Sequence, residues 1–179
     1  MDPRLLVFVD ECGTHTSMTR LPARGPKGER VYGRVPRNRG KNTTLIASMN
    51  ARGIGPCLTV VGATTKLVFE AYVKQVLAPS LSAGHMVVMD NLGAHKGDRV
   101  RELVEGRGCS LLFVPPYSSP DFSPIEEAFS KVKALLRKAA ARAREALVEA
   151  IGRALSAVTA EDALGWFGHC GYQLDAQPS

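Results

Sequence analysis

The stretch Met86-Val87-Val88-Met89-Asp90-Asn91 runs four apolar residues straight into an acid. A short apolar run of this kind reads as a strand buried on both faces. Leu5-Leu6-Val7-Phe8-Val9-Asp10 repeats the pattern near the start of the chain. An acid is costly to bury unless it is paired or bound to a metal. Two strands that each deliver an acid at the C-terminal end predict a shared site, because ligands of open α/β sheets bind at that edge. If the strands are neighbours, Asp10 and Asp90 converge there and can share a hard cation. Carboxylate oxygens suit Mg²⁺ or Mn²⁺. A turn or N-cap role would explain either aspartate singly, but it accounts less well for two acids that each follow an apolar run directly.

Outward from these two strands, Thr43–Met49 and Cys57–Val61 read as β-branched-rich strands joined by the turn Asn50-Ala51-Arg52-Gly53, an antiparallel meander on the first strand. Residues 20–30, rich in Gly, Pro and Arg, read as a loop, and Arg30–Val35 alternates loosely enough to suggest one more strand. Lys66–Leu77 has helical spacing and ends at Pro79; His95–Glu105 reads as a short helix; Ser110–Val114 is the last strand, stopped by Pro115-Pro116. Two amphipathic helices close the chain, Ser123 to about Lys138 and Arg144–Val158. The expected fold is a single-domain mixed α/β sheet with flanking helices.

The third acid is harder to choose. At ~100° per residue, Glu126 lies nearer than Glu127 to the apolar stripe of its helix, so Glu126 is expected to border the sheet and Glu127 to face solvent. Ser123-Pro124-Ile125-Glu126 is also a capping-box pattern, Ser at N-cap and Glu at N3, which would employ the same oxygens structurally. Glu11 is set aside because successive strand side chains point to opposite faces. Asn91 and His95 follow Asp90 closely; each is an ordinary turn or capping residue, or else a polar contact to phosphate near the acids.

The 179 residues suit one domain, with 45% hydrophobic and 22% charged residues. No apolar run approaches the roughly 18–20 residues of a membrane span, and the start does not read as a signal peptide, so a cytoplasmic location is expected. Cys12, Cys57, Cys109 and Cys170 are scattered and read as isolated thiols, with His169-Cys170 a weak metal candidate. The net charge of +6 is concentrated. Residues 20–41 carry eight basic side chains against one acid, and residues 131–144 carry six and no acid. Such tracts suit a polyanion, and Arg20, Arg24, Arg34, Arg37, Arg39, Lys41, Lys131, Lys133, Arg137 and Lys138 are the candidate DNA contacts.

Three segments, FVDECG (8–13), VVMDNLGAHK (87–96) and LLFVPPYSSPDFSPIEEAFSKVKALLRKAA (111–140), together resemble the catalytic domain of bacterial insertion-sequence transposases of the mariner superfamily. The resemblance runs over nearly the whole chain, and its third segment is long and specific. It implies a ribonuclease-H-like fold, shared with retroviral integrases, and makes Asp10, Asp90 and Glu126 the acidic triad that holds two Mg²⁺ or Mn²⁺ ions. It further implies cleavage of double-stranded DNA at transposon ends and strand transfer into a TA-containing target, by a homodimer in the active complex. Tyr117-Ser118-Ser119-Pro120 carries one serine more than the family pattern and leaves 35 residues between Asp90 and Glu126. Ser123 stands for the family's asparagine and Cys12 for a more usual threonine. The family's N-terminal helix-turn-helix has no counterpart here, which raises the expectation of the second product of a split reading frame with a separately encoded helix-turn-helix subunit, a truncated copy, or an excised domain. The alternative to an enzyme is a silent remnant that binds DNA or a full-length partner. A phosphatase with a nucleophilic aspartate is disfavoured, because such enzymes want a second Asp where Cys12 stands.

Overall fold

The computed structural model describes residues 2–20, 24–37, 40–91, 97–115 and 122–173. Five strands, β1 (Leu6–Thr14), β2 (Thr43–Asn50), β3 (Gly53–Val61), β4 (Met86–Met89) and β5 (Ser110–Phe113), form one sheet in the order β3-β2-β1-β4-β5. β1, β2 and β3 are antiparallel neighbours, whereas β4 and β5 run parallel to β1. The helices are α1 (Lys66–Tyr72), α2 (Asp98–Glu105), α3 (Pro124–Ala139), α4 (Arg144–Ser156) and α5 (Ala160–His169). Among the described residues no helix is long and apolar enough to cross a membrane.

β1 shows why continuous apolar runs were needed. Leu6 and Phe8 join one core cluster, with α3, α4 and α5; Val7 and Val9 join the other, with α1 and α2. Helices therefore cover both faces, and every residue from Leu6 to Val9 is buried. β2 divides in the same way, Leu45, Ala47 and Met49 to the α3 side and Ile46 to the α1 side. The β2–β3 hairpin turns at Ala51-Arg52, where Arg52 N–H donates to Asn50 Oδ1 at 2.8 Å and Gly53 takes φ 126°, a conformation that favours glycine.

Four expectations are corrected. β1 does not stop before Asp10 but continues to Thr14, because β2 offers a pairing edge all the way, from Phe8↔Met49 to Thr14↔Thr43. Arg30–Val35 is not a strand; it is an exposed irregular segment that pairs with none of the five strands, with Tyr32 84% exposed. The helix from Lys66 keeps α geometry only to Tyr72 and widens to a π-turn over Val73–Leu77, ahead of Pro79, which lacks the N–H that a regular turn would use. The start expected for α2 at His95 lies outside the described residues, and the helix is assigned from Asp98.

The fourth correction is α5, a third closing helix that hydrophobic periodicity did not reveal. Its marker is local: Thr159 and Asp162 form a full capping box, with Asp162 N–H donating to Thr159 Oγ1 at 3.1 Å and Thr159 N–H to Asp162 Oδ2 at 2.8 Å. Two glycines, Gly165 and Gly168, weaken its helical pattern. Packing compensates: Phe167 is fully buried and meets Phe8 edge-on, with ring centroids 5.5 Å apart.

Candidate active site

Val9 pairs with Met89, and these are the last residues over which β1 and β4 run together. Asp10 and Asp90 are therefore the next pair along two adjacent parallel strands, where neighbours lie about 4.8 Å apart. Alternation decides their direction. Val9 and Met89 point to the α1–α2 side, so Asp10 and Asp90 lean to the side that α3 covers, in line with Phe8 and Val88. Here β4 ends while β1 continues with β2, so the sheet opens beside the acids, and both are only partly buried. Asp10 Oδ1 accepts the Glu11 N–H at 2.7 Å. Two neighbouring carboxylates repel one another, and a cation between them reverses that sign.

Glu126 stands at the third position of α3, exposed, on a helix that packs across β1. The capping box expected there does not form. Ser123 takes the N-cap position without a side-chain hydrogen bond, and the turn is closed by Glu126 N–H donating to the Ser123 carbonyl at 3.0 Å. The carboxylate of Glu126 is thus not spent on its own helix cap. Among the described residues no group of three His, Cys, Asp or Glu side chains is close enough to hold a metal ion. Asp10 and Asp90 are brought together, and Glu126 is placed on the same side of the sheet without closing onto them. The donor set nevertheless suits a hard divalent cation: it is all oxygen, anionic and open to solvent.

Glu127 departs from expectation only in part. Its side chain is 44% exposed, as a solvent-facing residue would be, but it lies beside α5, with Oε1 3.9 Å from Nε2 of His169. Lys131, one turn further along α3, faces the same way and is ion-paired with Asp162. That contact, reinforced by Thr159, holds the Asp162 carboxyl down at about 2 from its ordinary 3.8. Because the folded-state value is depressed, the stabilisation is complete above about pH 3.8 and lost as pH falls through about 2. Asp162→Asn is therefore expected to lower Tm near neutrality, with the gap from wild type closing between pH 4 and pH 2; a gap independent of pH would contradict it.

The other flank of α3 carries Lys133 and Arg137. Burial raises the Cys12 thiol above its ordinary value, while Lys133 and then Arg137 pull it down and Asp10 pushes it up. Both cations thus stand within electrostatic reach of Cys12, which shares its face of β1 with Asp10. Arg137 also lines a cavity of about 350 Å³ with His15, Ser17, Met18 and Arg37. Arg142, not among the candidate contacts, donates to the carbonyls of Thr16 and Met18, both at 2.9 Å, and ties the loop after β1 to the end of α3. Nothing in the sequence marked it out from the other arginines of its tract.

The remaining candidates are dispersed. Arg20, Arg24, Arg34, Arg37, Lys41 and Lys138 are exposed, and Arg39 lies outside the described residues. Asn91 borders a different cavity, of about 370 Å³, with Gly97, Asp98 and Arg101, on the α2 side. His95 and the inserted serine lie outside the described residues. All four cysteines are free thiols.

No curated protein matches the chain. Solved structures do. The Mos1 strand transfer complex superposes with a TM-score of 0.70 at 17% identity, over 94% of this chain and 52% of that one. The Mos1 mariner paired end complex with Mn gives 0.67 at 18%, over 92% and 52%. The catalytic domain of Mos1 mariner transposase gives 0.60 at 15%, over 93% and 77%. The chain thus spans about half the length of the first Mos1 chains it matches. At these identities the likeness establishes the fold, which is the ribonuclease-H-like architecture anticipated above. The sequence itself carries the relationship further: residues 5–148 match the DDE superfamily endonucleases, and the chain belongs to that family.

Proposed function

We propose that this chain is the catalytic domain of a transposase of insertion-sequence type, which cleaves DNA strands at the element's ends and joins them to a target. The observation that carries the reading is the placement of Asp10 and Asp90 one residue beyond the last paired positions of two adjacent parallel strands, on the side of the sheet covered by the helix whose first turn bears the exposed Glu126. Family membership and likeness to Mos1 complexes described as strand transfer and paired end support it.

In this reading Asp10, Asp90 and Glu126 would hold two divalent cations, Mg²⁺ or Mn²⁺. Mos1 structures described with Mn and with Mg support that choice. When bound, the cations would supply an activated oxygen nucleophile and stabilise the leaving oxygen of an in-line displacement. The chain's own residues do the rest. The carboxylates set the geometry, the open sheet edge admits a phosphodiester, and Lys133 and Arg137 on the adjacent flank of α3 grip the backbone. Arg37, across the 350 Å³ cavity from Arg137, extends that grip. Lys131 is assigned to holding α5. The partners would be double-stranded DNA, as transposon ends and TA-containing target, a second copy of the chain, and a helix-turn-helix unit that reads the ends.

Two results test the assignment of residues. Glu126→Gln should lower Mn²⁺-dependent nicking of supercoiled DNA on the order of a hundredfold or more, the several kcal/mol expected of a lost metal ligand, while Glu127→Gln stays within about threefold, the range of a surface change. Equal losses would dissolve the distinction between them. For the DNA grip, Arg137→Ala should weaken binding of unrelated duplexes alike and reduce the slope of log K against log salt by about one. An unchanged slope would remove Arg137 from the interface.

A further inference from the structure

Near the C-terminal end the chain doubles back. Gly171 takes φ 83°, and Tyr172 N–H donates to the Phe167 carbonyl at 2.8 Å, turning the Tyr172 ring onto the core. The ring packs against Phe8 and Phe167, with centroids 5.4 and 5.8 Å away. Its hydroxyl then reaches out of the core and donates to the main-chain carbonyl of Phe122 at 2.9 Å. This residue lies beyond the part of the chain that matches the family, which ends at residue 148.

The two ends of that contact are the two halves of the carboxylate site. Phe8 precedes Asp10 by two positions on β1 and shares its face. Phe122 precedes Pro124, the first residue of α3, by two, and Glu126 is the third residue of that helix. The head of α3 has no side-chain cap from Ser123, and the Phe122 side chain is itself exposed. Tyr172 is partly buried, and its apolar contact with the core is made by the ring alone. The hydroxyl adds only a directed hydrogen bond to the backbone leading into α3.

We propose that Tyr172 is a positioning residue of the carboxylate centre, whose hydroxyl, held against β1 by its ring, anchors the Phe122 carbonyl and so sets Glu126 relative to Asp10. The proposal rests on the metal-centre reading above. Metal ligands tolerate displacements of only about 0.5 Å, so a single anchoring bond at the root of the helix that carries Glu126 has leverage on cation affinity.

Tyr172→Phe tests it, since the ring is kept and only the hydroxyl is lost. In metal-free protein the amides of Glu126 to Phe129 should exchange with solvent roughly five- to tenfold faster, the factor that one net hydrogen bond represents. The Mn²⁺ midpoint, by calorimetry and by activation of nicking, should rise by a similar factor. The urea midpoint and the protection of β1 amides should fall by no more than that one hydrogen bond accounts for. The proposal is overturned if exchange at the head of α3 is unchanged. It is equally overturned if exchange quickens across β1 and α3 alike with the Mn²⁺ midpoint unmoved, which would mark a purely structural contact. A wild-type chain that binds no Mn²⁺ would instead sink the metal-centre reading; the exchange measurement, made without metal, would still decide whether Tyr172 anchors α3.

Discussion

Replacing Asp90 by Asn is expected to abolish Mn²⁺- or Mg²⁺-dependent nicking of supercoiled DNA, a loss of at least about a thousandfold, and Asp10→Asn should do the same. The magnitude follows from what is removed. Each substitution keeps shape and volume but discards a full negative charge and a hard oxygen donor at a centre whose proposed chemistry depends on the cation, where several kcal/mol of transition-state stabilisation are at stake. The position makes the loss specific. Asp10 and Asp90 follow the paired Val9 and Met89 on adjacent strands, so no other carboxylate in the sheet can substitute for either. Folding should not suffer in proportion, because removing one of two neighbouring like charges relieves repulsion in the metal-free protein. Tm is expected to stay within a few degrees of wild type or to rise, and calorimetric Mn²⁺ binding should vanish with activity. Wild type and Asp90→Asn nicking at equal rates would end the assignment. Wild-type protein that binds DNA but no metal would favour a silent DNA-binding remnant.

The second large effect lies in the fold. Phe167→Ala should cost about 3–5 kcal/mol of stability, the range for deleting a fully buried aromatic side chain. Phe167 has no exposed surface and meets both Phe8 and Tyr172. Its loss would open a cavity between β1 and α5 and withdraw support from the Glu127–His169 and Lys131–Asp162 contacts. Urea unfolding is the direct measure. A loss below about 1 kcal/mol would mean that α5 is not held by this residue, and that the C-terminal segment contributes less to the core than its burial indicates.

The two effects belong to one arrangement. β1 carries Asp10 between Phe8, which faces the aromatic cluster with Phe167 and Tyr172, and Cys12, which lies near Lys133 and Arg137. α3 crosses that strand with Glu126 at its head, its two flanks divided between α5 on one side and the basic residues on the other. The division gives the two acids of the Glu126-Glu127 pair different surroundings, one exposed at the head of the helix and one beside a histidine of α5.

Read alone, the sequence determined most of what is repetitive or local. Met86–Met89 is a strand with the bounds expected of it, because an apolar run that must be buried on both faces leaves little choice. The β2–β3 hairpin follows from Asn50 and Gly53, and α3 from an apolar stripe in which Ile125, Ala128, Phe129, Val132 and Leu136 are all buried. The acids at the strand ends were legible because a charge after an apolar run needs a reason. Only the tertiary structure decided the rest, because each point depends on a partner remote in the chain. β1 runs past Asp10 because β2 pairs with it. Arg30–Val35 is no strand, and it pairs with none of the five. Glu127 meets α5, a helix whose two glycines hide it from periodicity but which Phe167 secures against Phe8. Ser123 matches a capping pattern and yet makes no side-chain cap, and Lys131 and Lys133, two residues apart in one basic tract, face different neighbours. Composition counts charges; only packing assigns each of them a direction.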